Sequence, residues 1–305
     1  MRKYLLKRVL QLVIVLFGIA TIVFIIQNLT GDPTYLLLPP DATKEDIALF
    51  RHQLGFDRPI LVQYLQYIIS LLQGDLGQSL RHAQPALSLV IERLPATVEL
   101  AFAALAISLC VAIPVGVLSA LKPNSFMDHI GMSVALLGQS MPIYWSGLML
   151  ILLLTVKLNL LSAFGRGDFS NLIMPAVSLG FFSMARITRV TRSSMISVLG
   201  KDYIRTARAK GLADYKVILR HAFKNAALPI ITLVGMELGH LLGGAVITET
   251  IFAWPGVGRL AIQAIYNRDF PVTRAAVLVL ATIFVTINLI VDIIYTYLDP
   301  RVRYD

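Results

Sequence analysis

Long apolar runs separated by polar connections dominate the chain. Crossing the hydrocarbon core takes about 20 mostly apolar residues in a helix. Six stretches meet that length, at roughly 9 to 28, 97 to 121, 131 to 156, 172 to 190, 226 to 249 and 275 to 297. The fourth is the weakest, because Arg186 and Arg189 cut it short. The connection at 29 to 96 is too long for a plain loop. Within it, Ile60 to Leu72 is apolar on most sides while Gln63, Gln66, Ser70 and Gln73 recur every three or four residues. That spacing predicts a helix with a narrow polar stripe, too short to span, lying either in the membrane interface or against the bundle, with the bundle favoured.

Inside the third span, Pro142 frees a backbone carbonyl and bends the helix, as a gating kink or as an inert packed one. In the fifth, Gly235, Gly239 and Gly243 stand at GxxxGxxxG spacing and predict a face that a neighbouring helix can approach closely. Glu237 and His240 fall on the opposite side, about 60° apart at about 100° per residue. Ionisable groups inside a membrane are costly and face the interior or a watery cavity. Two readings stay open for this pair, lining a translocation path or hydrogen bonding to a partner helix. At the end of the same span, Phe252-Ala-Trp-Pro-Gly reads as an interfacial aromatic anchor and a turn.

The one long polar run between apolar segments is Leu199 to Pro229. Counting from Arg186 it brings ten Lys or Arg, opposed only by Asp202 and Asp214. Lys201 to Lys210 has no Pro or Gly and carries Ile204 with Ala207 at helical spacing, which predicts a short amphipathic helix ended by Gly211. A second helix follows from about Ala213, with Tyr215, Ile218, Leu219, Ala222 and Phe223 on one face and Lys216, Arg220 and Lys224 on the other.

Composition agrees with a bilayer protein. Hydrophobic residues make up 56% and charged residues 15% of the 305, with mean hydropathy +0.72, against about 25% charged in soluble domains. The net charge of +9 is concentrated near Arg2, Lys3, Lys7 and Arg8 and in the central polar run, as orientation signals are, rather than spread as a nucleic-acid footprint. With Arg301 and Arg303 after the sixth span, this places both termini and the central run in the cytoplasm. The apolar run Val9 to Ile26 exceeds the usual signal-peptide core of about 7 to 15 residues and predicts a retained span. The single cysteine, Cys110, allows no intrachain disulfide and no thiolate metal site. There is no G-x-x-x-x-G-K-[ST], no H-E-x-x-H and no G-x-S-x-G, and the five histidines lack ligand spacing. The chain is therefore expected to be no enzyme and to hold no cofactor or metal.

The polar run resembles a known element. Ala207 four residues before Gly211, with Leu228-Pro229 beyond, resembles the EAA-type cytoplasmic loop of permease subunits in ABC importers. TARAKGL at 206 to 212 resembles the peptide, nickel and glutathione branch, as do Gly-Asp-Pro at 31 to 33, GDLG at 74 to 77, TRSSM at 191 to 195 and FAWPGVG at 252 to 258. Arg205 and Thr206 stand where the general motif has Glu and Ala.

The resemblance implies an all-α integral membrane fold of the methionine-permease type. It implies six spans, a large periplasmic loop after the first and a cytoplasmic coupling helix between the fourth and fifth. Residues 1 to 96 would form the first span and periplasmic segment, and 97 to 305 the permease domain. Arg205, Thr206, Ala207, Arg208, Lys210, Gly211 and Leu212 would couple to the ATPase. Implied partners are a second similar permease, two ATP-binding subunits and a periplasmic solute-binding protein at the inner membrane, with a di- or oligopeptide as cargo. Glutathione or nickel on the same architecture are the alternatives. Rivals of another kind are an ion-coupled secondary transporter relaying protons through Glu237 and His240, which inverted repeats would favour, and a noncatalytic assembly scaffold.

Overall fold

The computed structural model describes residues 2–30, 34, 38 and 41–298. The Gly-Asp-Pro at 31 to 33 and the basic residues Arg301 and Arg303 lie outside the described residues. In chain order the helices are α1 (Arg2–Thr30), α2 (Lys44–Gln53), α3 (Ile60–Leu72), α4 (Ala86–Leu121), α5 (Phe126–Ser140) and α6 (Ile143–Leu150). They continue with α7 (Phe169–Leu199), α8 (Asp202–Ala209), α9 (Asp214–Lys216), α10 (Lys224–Ile251), α11 (Val257–Tyr266) and α12 (Phe270–Leu298). Two π-helical segments, Ile151–Lys157 and Val217–Phe223, extend α6 and α9. Among the described residues the one extended pairing is an antiparallel bridge between Gln78 and Pro85.

Among the described residues, four helical stretches are long and apolar enough to cross a membrane, namely Arg8–Leu29, Ala86–Leu121, Asp214–Ile251 and Phe270–Ile294. The predicted third span is two helices, α5 and α6, meeting at 107°. Proline has no N–H to donate and forces the residue before it out of the helical region. Met141 is accordingly extended at ψ 127° and Pro142 at ψ 138°. The expected kink is a full break. The predicted fourth span is α7, which runs on past Arg186, Arg189 and Arg192 to Leu199 and is not among the stretches apolar enough to cross by composition.

The chain divides into two compact units, one grouping Met1–Thr97 with Pro255–Ile283, the other Val98–Trp254 with Phe284–Asp305. In the first, α3 occupies the residues its periodicity predicts and buries Tyr67 against Ala20 and Phe24 of α1 and Leu278 of α12. A second cluster joins Ala86 and Val90 of α4, Val257, Ala261 and Ala264 of α11, and Val272, Ala275 and Ala276 of α12. The Asp269 carboxylate, almost wholly buried, accepts hydrogen bonds from Ser79 Oγ (2.5 Å) and Leu80 N (3.2 Å) and so pins the turn before α4.

In the second unit, α7 is the central helix, and small residues set its distances to α4. A methyl added at Gly180 would come within 2.6 Å of the Ala104 carbonyl oxygen, and one at Gly116 within 2.6 Å of Thr191. Lipid tails are as apolar as the side chains they would displace, so close contact of this kind carries helix association.

Candidate functional site: the docking element and the interior polar pairs

The polar run folds as predicted into two short helices hinged at a glycine. α8 points Ile204 (0% exposed) and Ala207 (7%) inward, where they pack with Ala120, Met195, Val217, Ala222 and Ala226. Arg205, Thr206, Arg208, Lys210, Gly211 and Leu212 are all exposed. Two inward contacts one turn apart anchor the helix, and every remaining position is left for solvent or a partner.

Gly211 has φ +76° with nothing near its Cα, so it is the backbone conformation, not space, that calls for glycine here. Arg208 Nε lies 3.7 Å from Asp214 Oδ1 across this turn, and Arg205 Nη1 lies 3.6 Å from Asp202. These are loose, exposed pairs of little energetic weight.

The second helix departs from its predicted face. Tyr215 and Leu219 are 61% and 62% exposed, while Val217 and Ala222 are buried. The physical reason is the π-helical turn at Val217–Phe223, which winds with more residues per turn and shifts which side chains face inward. Exposed Tyr215 and Leu219 thus stand among the exposed cations Lys216 and Arg220.

The interior of this unit holds two charge pairs that local periodicity did not reveal. Asp128, 2% exposed, accepts from Arg192 Nε at 2.6 Å and Nη2 at 2.7 Å, a bidentate pair joining α5 to α7. Its Oδ2 also accepts from Asn124 N at 2.8 Å. Arg192 belongs to the TRSSM stretch, whose Thr191 and Met195 are fully buried.

Glu237, 1% exposed on α10, accepts from Ser183 Oγ at 2.6 Å, and Arg186 Nη1 lies 2.8 Å from its Oε1 as an ion pair. Glu237 on α10 is thereby bonded to α7. His240 is exposed, with its ring 6.1 Å from that of Phe284. The signal that could have found both pairs is a charge set inside an apolar helix, which demands a partner on another helix.

The glycine face is partly realised. A methyl at Gly235 would reach within 2.5 Å of Val291 and one at Gly239 within 3.4 Å of Phe284, both on α12, but Gly243 meets nothing within 4 Å. Phe252 and Trp254, read as interfacial anchors, are instead 0% and 1% exposed. Phe252 packs with Ala163 and Met174, because Ala253 at φ +51° turns the chain back and folds both rings inward. In GDLG, Asp75 Oδ1 accepts from Gly77 N at 2.8 Å, closing a turn. Among the described residues no group of three His, Cys, Asp or Glu could hold a metal ion.

Comparison with known proteins agrees with this architecture. Residues 112–304 match the family model of binding-protein-dependent transport system inner membrane components, and residues 1–101 match its N-terminal companion. The dipeptide transport system permease protein of Alkalihalophilus pseudofirmus is 42% identical, over 100% of each chain. That of Escherichia coli K12 is 40% identical over 100% of this chain and 99% of its own. The glutathione transport system permease protein of Salmonella choleraesuis is 38% identical over 100% of both. The MetNI methionine ABC transporter in an inward-facing form has a subunit of like fold, with TM-score 0.57 and 19% identity over 69% of this chain and 96% of that one. The chain therefore belongs to the binding-protein-dependent transport system inner membrane components, the ABC importer permeases that its central polar run resembled.

Proposed function

We propose that the chain is one of two membrane subunits of an ABC importer that carries di- or oligopeptides across the bacterial inner membrane. The observation that supports the coupling role most is the element from Asp202 to Phe223, anchored by Ile204 and Ala207 and otherwise presenting exposed Arg205, Thr206, Arg208, Lys210, Gly211 and Leu212. One of two ATP-binding subunits would seat on this element, a second similar permease would complete the pathway, and a periplasmic binding protein would deliver the solute. In this reading α5 and α6 form the third of six spans and α7 the fourth, and both termini lie in the cytoplasm. Closure of the ATPase pair moves α8 and α9, and Gly211 fixes the angle through which that motion passes to α10. Peptide is the cargo of the relatives at 40% and 42% identity. Glutathione is a second reading, because a relative named for it matches nearly as well.

Uptake of labelled dipeptide, longer peptide, glutathione and nickel in cells with and without this subunit tests the cargo. Loss of peptide uptake alone is expected. Loss of glutathione or nickel uptake with peptides untouched overturns the cargo and keeps the architecture. Glu237 and His240 are proposed to border the pathway, Glu237 through its pair with Arg186. Replacing both with glutamine (Glu237→Gln, His240→Gln) is expected to change uptake kinetics, and unchanged kinetics and ligand preference would remove them from the pathway.

A further inference from the structure

The first unit contains a cavity of about 480 Å³. Its walls come from α1, α3, the start of α12, and the loops near Phe56 and Ser79. Phe24, Phe56, Tyr67 and Phe270 supply aromatic lining and Gln66, Ser70 and Arg274 polar lining, with no Asp or Glu among the lining residues. Gln66 and Ser70 belong to the polar stripe of α3, so the stripe has a use that packing on the bundle does not absorb. Neither side chain makes a hydrogen bond among the described residues, unlike Gln63, whose amide donates to Phe56 O and Arg58 O.

Arg274 is held in place. Its Nε donates to Gln27 Oε1, and Gln27 in turn donates to Phe270 O at 3.2 Å. The guanidinium carbon lies 4.6 Å from the Tyr67 ring centroid and 5.6 Å from that of Phe24, whose rings stack on each other. None of the ion pairs among the described residues includes Arg274. An independent observation sits beside it. Tyr67 lines the cavity, is 8% exposed, and its hydroxyl has no hydrogen-bond partner among the described residues. Buried hydroxyls are normally satisfied.

A cation held by its Nε, with no partner at its terminal nitrogens and an unsatisfied buried O–H beside it among the described residues, and with no acid among the lining residues, suits a carboxylate. We propose that this cavity binds the carboxylate of a small solute, with the Arg274 fork and the Tyr67 hydroxyl as donors and the aromatic wall holding the apolar remainder. The volume lies within the range of about 300–1,000 Å³ usual for small-molecule sites. Resting on the peptide reading above, the carboxylate is the free C-terminus of a short peptide. The same chemistry could be supplied by an acidic side chain of a protein docking on this face.

The test is equilibrium binding to the assembled transporter in nanodiscs, using a labelled dipeptide, the same dipeptide with its C-terminus amidated, and glutathione. The acid is expected to bind at least about tenfold more tightly than the amide. Tyr67→Phe keeps the ring under Arg274 and removes only the hydroxyl, so it should weaken the acid about three- to tenfold and leave the amide unchanged. Arg274→Gln should erase the discrimination, and where that variant does not assemble, the Tyr67→Phe result decides. Equal binding of acid and amide overturns the site, and does so without touching the cargo if peptide uptake still needs the subunit. Conversely, discrimination among other carboxylates that depends on Arg274, without peptide uptake, keeps the site and removes the peptide. If Arg274→Gln weakens capture of solute-free binding protein while solute binding is unchanged, the carboxylate comes from the protein and the solute proposal falls.

Discussion

The second unit uses the same side chains in two opposite ways. Arg192 meets Asp128 at 2.6 and 2.7 Å, with the acid nearly inaccessible, whereas Arg205 and Arg208 meet Asp202 and Asp214 at 3.6 and 3.7 Å in the open. Bringing a charge out of water is worthwhile only when geometry is close and complete, and the α5 to α7 pair satisfies that condition. The element from Asp202 to Phe223 makes no such demand, because its charges are exposed. Inside, Arg–carboxylate pairing fixes which helices touch. Outside, the arginines are only loosely paired and fix no helix contact.

The largest expected effect breaks the interior side of this comparison. Asp128→Asn leaves Arg192 without its counter-charge and should lower stability by about 3 kcal/mol, read as an earlier thermal unfolding of the purified transporter. A shift of the size of ordinary surface substitutions, within about 0.5 kcal/mol, would make this pair no different from the exposed ones. Next comes Gly211→Val, which places a β-branched residue at φ +76° and should cost about 1–3 kcal/mol locally while uncoupling ATP hydrolysis from uptake. Wild-type coupling in that variant would sink the hinge.

Arg208→Glu should change stability by less than about 0.5 kcal/mol yet impair coupling, which ATPase and uptake assays on the same preparation can separate. Strong destabilisation would mean the exposed pair is structural after all.

The smallest effect lies in α2. There Asp46 accepts from Thr43 Oγ1 at 2.7 Å and Thr43 N at 3.0 Å while Thr43 Oγ1 accepts from Asp46 N at 3.2 Å, a capping box. The Thr43 hydroxyl, then its backbone N–H, hold the carboxyl of Asp46 below its ordinary value. A lowered folded pKa means the cap's stabilisation is present above the ordinary aspartate range near about 3.9 and is lost as pH falls through the folded value. The protection of the α2 amides, taken relative to their intrinsic exchange rates, should therefore fall on acidification below about pH 4, and less so in Thr43→Ala.

Much of the fold was legible where a local rule decides. The period of Ile60 to Leu72 predicted α3 to its end residues, and the spacing of Ile204, Ala207 and Gly211 predicted α8 and its stop. Within the candidate site, the inward Ile204 and Ala207 and the exposed Arg205 and Arg208 follow from that same periodicity. Legibility ended where a distant residue intervenes. Phe252 and Trp254 look like interfacial anchors in isolation and are buried because the chain turns back at Ala253. Tyr215 and Leu219 share a face with Ala222 on an ideal helix, but a π-helical turn, which periodicity at 3.6 residues does not anticipate, separates them.

What the amino-acid order determined unaided is the set of apolar lengths, the glycine stop at 211 and the basic run between spans, since each depends on residues within a few turns of one another. Tertiary structure alone decided which arginine is clamped and which is left exposed. Asp128 and Arg192 lie 64 positions apart, and Ser183 and Glu237 lie 54 apart. The energy of a buried charge is set by what stands within a few ångströms of it, and only the packing of α5, α7 and α10 supplies those neighbours.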